Sequence, residues 1–435
     1  MLKVSFHTLG CKVNQYETDA IMELFEQRGF EVIDFNEPAD ICIINTCTVT
    51  NIADKKSRKM LSKGKSINSN AIVVAMGCYA QIAEKKLKDN EDIDLIIGNT
   101  KKNQIVDLVE EYIREHKKYS LIEDMTHNVP YEEMWISKID DKKRAHIKIQ
   151  DGCNQFCSYC IIPYTRGRVR SRNPENIIKE VSQLVEKGYK EIVLTGIHLA
   201  SYGLDDYGYK LIDLLIELNE LNGLERIRLG SLEPTLMTVD FINQIVQLNK
   251  LCPHFHLSLQ SGCDDVLKRM NRHYDTKEYY ESVLNLRKAY DKPAITTDII
   301  VGFPGETEIE FQETIDFVKR IGFADIHIFK YSPREGTKAA AIKQQIKEEV
   351  KNHRSKVLGS IRNQLHYNYL EQFIGSVVEV IFEDIIEISG TEYYIGHASN
   401  YSKIIVEKSD KRLENRLLSV EIVEIDKELL KGIVD

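Results

Sequence analysis

The sequence predicts an α/β protein in three parts: a parallel-sheet α/β domain over residues 1–115, a central partial (β/α)6 barrel over 139–369, and a small all-β barrel over 371–435. Two observations predict it. Short apolar runs alternate with amphipathic helical segments through most of the chain, the pattern of parallel strands joined by helices. After about Gln364 that alternation stops, and short strands follow one another at turn spacing. At 435 residues, 43% hydrophobic and 29% charged, the chain has room for several cores.

The first part opens with the β-branched run "KVSFHTLG", followed by "NQYETDAIMELFEQRG", an amphipathic helix that ends at Gly29. "ADICIINT" and "AIVVAMG" are apolar runs with a helical pattern behind each, and "DLIIGN" closes the series. Residues 116–138, charged and carrying the single tryptophan, Trp135, read as a linker. The second part supplies six strands, "AHIKIQ", "EIVLTG", "RIRLGS", "FHLSLQ", "ITTDIIVGF" and "DIHIFKYS", fewer than the eight of a closed barrel. The third part supplies "SVVEVIFE", "EYYIGHAS", "SKIIVE" and "RLLSVEIVEI".

The start, "MLKVSFHTLGCK", lacks a basic segment, an apolar stretch and a small-residue cleavage site, and no run of about 18 apolar residues occurs. The sequence therefore predicts a cytoplasmic protein with no membrane partner, whose nine cysteines are thiols or metal ligands.

Cys153, Cys157 and Cys160 form a C-x3-C-x2-C triplet in "DGCNQFCSYCIIP", behind the first barrel strand, where barrel active sites are built. A structural zinc site wants a fourth ligand, and the next cysteine downstream is Cys252. Three thiolates on a four-iron cluster would leave one iron open, and this reading is preferred to a zinc knuckle. A second set is dispersed: Cys11, Cys47 and Cys78 each follow a strand of the first part, and such strand ends share one edge of a parallel sheet. Cys42 reads as core, and Cys252 and Cys263 as packing or loop thiols. His198, His254 and His256 lie near strands and read as satisfied histidines.

The net charge of −9 argues against non-specific nucleic-acid binding. "PYTRGRVRSR", however, carries Arg166, Arg168, Arg170 and Arg172 without an acid. Beside the cysteine loop it reads as a grip on phosphate, assigned to Arg166 and Arg168, with internal ion pairs as the alternative. Residues 371–435 hold 7 Lys and Arg against 14 Asp and Glu, so RNA contact there would need the local cluster Lys403, Lys408, Lys411, Arg412 and Arg416.

The C-x3-C-x2-C triplet resembles that of the radical S-adenosylmethionine (SAM) enzymes, including Tyr159 before its third cysteine. That resemblance implies SAM on the open iron, with Tyr159, Gly196, Ser231, Glu233, Gln260 and Gly302 as SAM-contacting candidates. "LGCKVNQYE", "NTCTVTNIADKKSR" and "MGCYAQ", followed by "GCNQFCSYCIIPYTRGRVRSR", resemble the methylthiotransferase family in order and spacing over essentially the whole chain, and the last part resembles its TRAM domain. The family resemblance implies two [4Fe-4S] clusters, the auxiliary one on Cys11, Cys47 and Cys78, and replacement of a C–H hydrogen by S–CH3. It implies a sulfur donor, and an electron donor such as flavodoxin or ferredoxin. No side chain stands out as a catalytic base. "GCKVNQYE" resembles the branch acting on N6-threonylcarbamoyladenosine at position 37 of tRNA. The alternatives are isopentenyladenosine in tRNA and a ribosomal-protein aspartate, and outside the family a non-catalytic Fe–S carrier or a zinc-binding RNA protein.

Overall fold

The computed structural model describes residues 1–127, 129–137, 144–205 and 208–434. The expected start of the second part at 139, the last linker residue at 138 and the end of the third part at 435 lie outside them.

Strands β1 (Lys3–Thr8), β2 (Glu31–Ile33), β3 (Ile41–Thr46), β4 (Ile72–Gly77), β5 (Leu95–Ile97) and β6 (Tyr119–Leu121) form a parallel sheet in the order β2-β1-β3-β4-β5-β6. Its strands are apolar runs because both faces are covered. Ile43, Val74 and Met76 point to one core, Cys42, Ile44, Val73 and Ala75 to the other. Cys42 is thus a core residue, as expected. The register pairs Thr8 with Asn45 and Thr46 with Gly77, which brings the carboxyl ends of β1, β3 and β4 level.

Residues 116–138 are not the linker expected. β6 falls within residues 116–138 and adds the sheet's edge. Met125, Met134 and Ile136 are buried, and the Met134 carbonyl accepts a hydrogen bond from the Tyr16 hydroxyl. The charges that suggested a loose segment sit on a packed one.

Strand β7 (Arg144–Lys148) begins the second part, and β8 (Gln150–Asp151) pairs antiparallel with β9 (Arg170–Ser171). "AHIKIQ" therefore divides at Ile149, and its last residues close the base of the cysteine loop. β10 (Glu191–Thr195) lies between β7 and β11 (Arg226–Leu229), all parallel. β12 (His254–His256), β13 (Ala294–Val301) and β14 (Asp325–Lys330) form a second parallel set. Single parallel bridges at Ile227–Leu251 and Leu232–Leu257 join the sets into an open arc of six strands in chain order, the partial barrel.

A 24-residue helix, Glu348–Glu371, leads to the third part. There β15 (Val377–Ile388), β16 (Thr391–Ala398), β17 (Lys403–Glu407), β18 (Leu417–Asp426) and β19 (Leu429–Ile433) close a barrel around Val380, Phe382, Ile404, Val420 and Ile422. Among the described residues no helix is long and apolar enough to cross a membrane.

Candidate active site

The level ends of β1, β3 and β4 bring Cys11, Cys47 and Cys78 together. A Cβ placed on Gly10 would come 3.1 Å from the Cys47 sulfur, so only glycine lets the first turn approach this closely. Burial pushes the Cys47 thiol up to about 11, with Cys78 and Cys11 adding to it. Cys11 is exposed on the cavity wall, where partial desolvation still raises it and Arg166 opposes the shift. The Asn99 amide donates to the Cys78 sulfur at 3.7 Å and to the Thr165 carbonyl at 2.8 Å, which ties this triplet to the loop of the second.

The second triplet is held by one loop. Gly152 has φ +70°, and a Cβ there would meet the Arg168 carbonyl oxygen at 1.8 Å. The Cys153 amide donates to the Gly167 carbonyl and the Cys160 amide to the Cys157 carbonyl, both at 3.0 Å. Burial raises Cys153 to about 11 and Cys160 to about 12, and Cys157 adds to both shifts. Arg272 donates to the Cys157 sulfur at 3.1 Å and is held by Glu233 at 2.5 Å. Nothing local in the sequence links Arg272 to the cysteines.

Both sets suit a multi-iron group. A single tetrahedral zinc draws its sulfurs to about 3.8 Å of one another. Among the described residues neither thiol triplet falls within 4.8 Å; the one such group of possible ligands is His256, Asp298 and His327. In that group His327 and Asp298 are already hydrogen-bonded at 3.1 Å.

The arginine loop departs from expectation. Arg166 has no exposed surface; it binds Glu17 and Asp151, each at 3.0 Å, and Asn14 at 2.7 Å. Arg170 reaches Asp151, and Arg172 is buried against Glu180 and Glu133. The phosphate grip assigned to Arg166 is therefore corrected to a buried ion-pair role, the alternative weighed for this loop; of its acids Asp151 opens the cysteine stretch, while Glu17 lies 149 residues away. Arg168 alone of the four is exposed, with its guanidinium 4.5 Å from the Phe156 ring centre. Around Arg166, Lys102 and Lys148 also pair with Glu17, and Lys148 with Asp151. Four buried cations thus meet two carboxylates, and Arg166 among them is the one that offsets part of the rise at Cys11.

A cavity of about 640 Å³ opens between the three parts. Cys11 and Lys12 line one wall, Gly196 and Ser231 at the ends of β10 and β11 another, and Asn400, Tyr401 and Ser402 of the last barrel a third. Of the other SAM candidates, Glu233 reaches the cysteines through Arg272, and Tyr159 packs beside Cys263 and Phe303. Gln260 has φ +70°, and its amide donates to the Asp298 carbonyl. Gly302 instead turns the chain against Lys351. His198 is satisfied, by Ser201 at 2.6 Å. His254 is not the satisfied histidine expected: it lines the cavity with its Nδ1 buried and without a hydrogen-bond partner, whereas His256 beside it is satisfied, by Thr296 at 3.0 Å and Asp298 at 3.3 Å.

The radical SAM superfamily profile matches residues 147–318, and that of an uncharacterized family, UPF0004, matches residues 3–98. The threonylcarbamoyladenosine tRNA methylthiotransferase MtaB of Bacillus subtilis (strain 168) is 41% identical, over 97% of this chain and 94% of its own. The chain belongs to the radical SAM tRNA methylthiotransferase family. A second MtaB, from Aquifex aeolicus (strain VF5), is 41% identical over 87% of this chain and 92% of its own. The tRNA-2-methylthio-N(6)-dimethylallyladenosine synthase of Moorella thermoacetica is 35% identical over 98% and 96%. The radical SAM methyltransferase TsrM from Kitasatospora setae shares the fold, with a TM-score of 0.53 at 15% identity over 77% of each chain. In this methylthiotransferase one thiol triplet lies at the strand ends of the N-terminal sheet and the other in the first loop of the barrel.

Proposed function

We propose that this methylthiotransferase converts N6-threonylcarbamoyladenosine at position 37 of tRNA to its 2-methylthio form. One observation carries the chemistry: Cys11, of the sheet-end triplet, faces the same cavity as Gly196 and Ser231 of the barrel. The substrate follows the named activity of the MtaB relatives.

Cys153, Cys157 and Cys160 would hold the SAM-binding [4Fe-4S] cluster, and Cys11, Cys47 and Cys78 the auxiliary one. When bound, the first with SAM supplies the radical that an unactivated C–H bond demands, and the second supplies sulfur. The protein's own residues do the rest. Arg272 donates to Cys157, lowering the negative charge on that sulfur, and Glu233 fixes Arg272. Arg166 stands between the Cys11 side and Asp151. Gly196 and Ser231 leave room at the strand ends for SAM, and Arg168 is the phosphate contact that remains exposed. The working units are the N-terminal domain with the auxiliary cluster, the radical SAM core and the TRAM-type barrel. The enzyme acts in the cytoplasm with a sulfur donor and a low-potential electron donor such as ferredoxin or flavodoxin.

The test is to incubate reduced enzyme, SAM and sulfide with tRNA bearing either the threonylcarbamoyl or the isopentenyl group, then to weigh the nucleosides. A mass gain on the threonylcarbamoyl nucleoside is expected. A gain on the isopentenyl tRNA alone, or only on a ribosomal-protein aspartate, overturns the reading.

A further inference from the structure

The cavity wall around Tyr401 is built of cations. Tyr401, at φ +71° in the loop between β16 and β17, projects from the last barrel into the core. Its ring stacks against His254 and against His397, at 4.9 and 4.8 Å. The guanidiniums of Arg228 and Arg144 lie 4.7 and 5.2 Å from the ring centre, and the Lys12 ammonium lies 6.0 Å away.

Most of these charges are spoken for. Arg228 pairs with Glu191 at 2.8 Å, Arg226 lies 3.7 Å from Glu191, and Arg144 pairs with Glu383 at 3.0 Å. Asp298 and Asp325, on the opposite wall, are engaged by His256 and His327 and by Arg362. Lys12 is different. Among the described residues its ammonium has neither a hydrogen bond nor an ion pair, only the Tyr401 ring. Its side chain is exposed to the cavity. Four cations therefore face two carboxylates on this side, and the unpaired one points at the substrate space. Beside it, His254 is held neutral by burial and by Arg228, and its Nδ1 lacks a partner.

Such a wall is costly to cover with an apolar group, because a desolvated ammonium and ring nitrogen would go unpaired. A threonylcarbamoyl group brings a carboxylate, a hydroxyl and a urea. We propose that Lys12 anchors the substrate's carboxylate by a charge-assisted hydrogen bond, with His254 and the Asn400–Ser402 turn completing a polar subsite for the threonyl group. The subsite rests on the substrate assignment above. It also gives the acidic C-terminal barrel a recognition role that needs no basic RNA-binding face: it delivers Tyr401 to the modified base.

The test pairs a change in the enzyme with one in the substrate. Two tRNAs are compared, one with the natural threonylcarbamoyl group and one whose threonyl carboxylate is a carboxamide of nearly equal size. The parent is expected to favour the carboxylate by about tenfold or more in kcat/KM and in Kd, the scale of one hydrogen bond to a charged group. In Lys12→Met the preference should fall below about threefold, and in Lys12→Arg it should be kept. Should Lys12→Met disturb the cluster on neighbouring Cys11, the Kd ratio still reads the preference without turnover. A parent that modifies threonylcarbamoyl tRNA but shows no preference, or a Lys12→Met that keeps it, overturns the subsite alone. A parent that modifies only isopentenyl tRNA overturns the substrate reading and the subsite with it.

Discussion

The two thiol triplets are assembled by opposite routes. Cys153, Cys157 and Cys160 sit in one loop, shaped by Gly152 and closed by the pairing of β8 with β9. Cys11, Cys47 and Cys78 come from three strands and meet only because the register levels β1, β3 and β4. Each set has an arginine: Arg272 touches a sulfur directly, whereas Arg166 acts from a buried knot of ion pairs. A local loop places ligands with little help from the fold, whereas an assembled site depends on tertiary structure that must already be correct.

The largest expected effect separates their chemistry. Replacing Cys153, Cys157 and Cys160 by Ala should halve the iron, from about eight atoms per chain to about four, and abolish SAM cleavage. Replacing Cys11, Cys47 and Cys78 should also halve the iron and abolish methylthiolation, yet leave cleavage to 5′-deoxyadenosine measurable. Full iron in the second variant would remove the auxiliary site from the comparison.

Next in size is the dependence on the fold. Arg166→Met breaks hydrogen bonds to Glu17, Asp151 and Asn14 inside the protein and should cost about 3 kcal/mol, seen as a lower denaturation midpoint. Arg168→Ala, on the surface, should change stability by less than about 0.5 kcal/mol. It should instead reduce the salt slope of tRNA binding by about one. If the two variants unfold alike, the assembled site is no more fold-dependent than the loop.

The smallest effect is a pH dependence of the iron-free protein. Cys47 and Cys153 titrate near 11 and Cys160 near 12, above their unfolded value of about 8.5. The unfolded chain thus loses its protons first. Stability is fully present below about pH 8.5 and falls as pH rises through 11 to 12. Bound iron, which holds the thiolates, should flatten that decline. Thermal unfolding from pH 7.5 to 10, with and without iron, checks it, and equal slopes in the two forms would refute it.

Much of this was legible in sequence. Strand periodicity placed Cys11, Cys47 and Cys78 each behind a strand and the C-x3-C-x2-C spacing set Cys153, Cys157 and Cys160 apart, but only the family resemblance joined the first three into one ligand set; the end of strand–helix alternation marked the closed barrel of the last part. What escaped depends on long-range packing. The acids that neutralise Arg166 and Arg172 are Glu17, Asp151, Glu133 and Glu180, so an arginine run with no acid inside it resembled a free basic patch. Arg272 lies 115 residues from the sulfur it touches. Lys12 stands beside Cys11 in the chain, but what makes it notable, an unpaired ammonium facing a cavity, is created by Tyr401 arriving from the opposite end of the sequence.

The knot around Arg166 has one more consequence. Glu17 and Lys102 belong to the first sheet's domain, Lys148 and Asp151 to the barrel, and Arg166 to the cysteine loop. With the two halves cut from one another, Glu17 would keep Lys102, but the barrel would be left with Lys148, Arg166 and Arg170 on Asp151 alone, so the halves are not beads on a string that can drift apart. The knot works as a ruler. A substrate carbon has to lie within reach of both reactive centres in one visit, and the spacing between them is set by the pairs of Lys148 and Arg166 with Glu17, which cross from one half to the other.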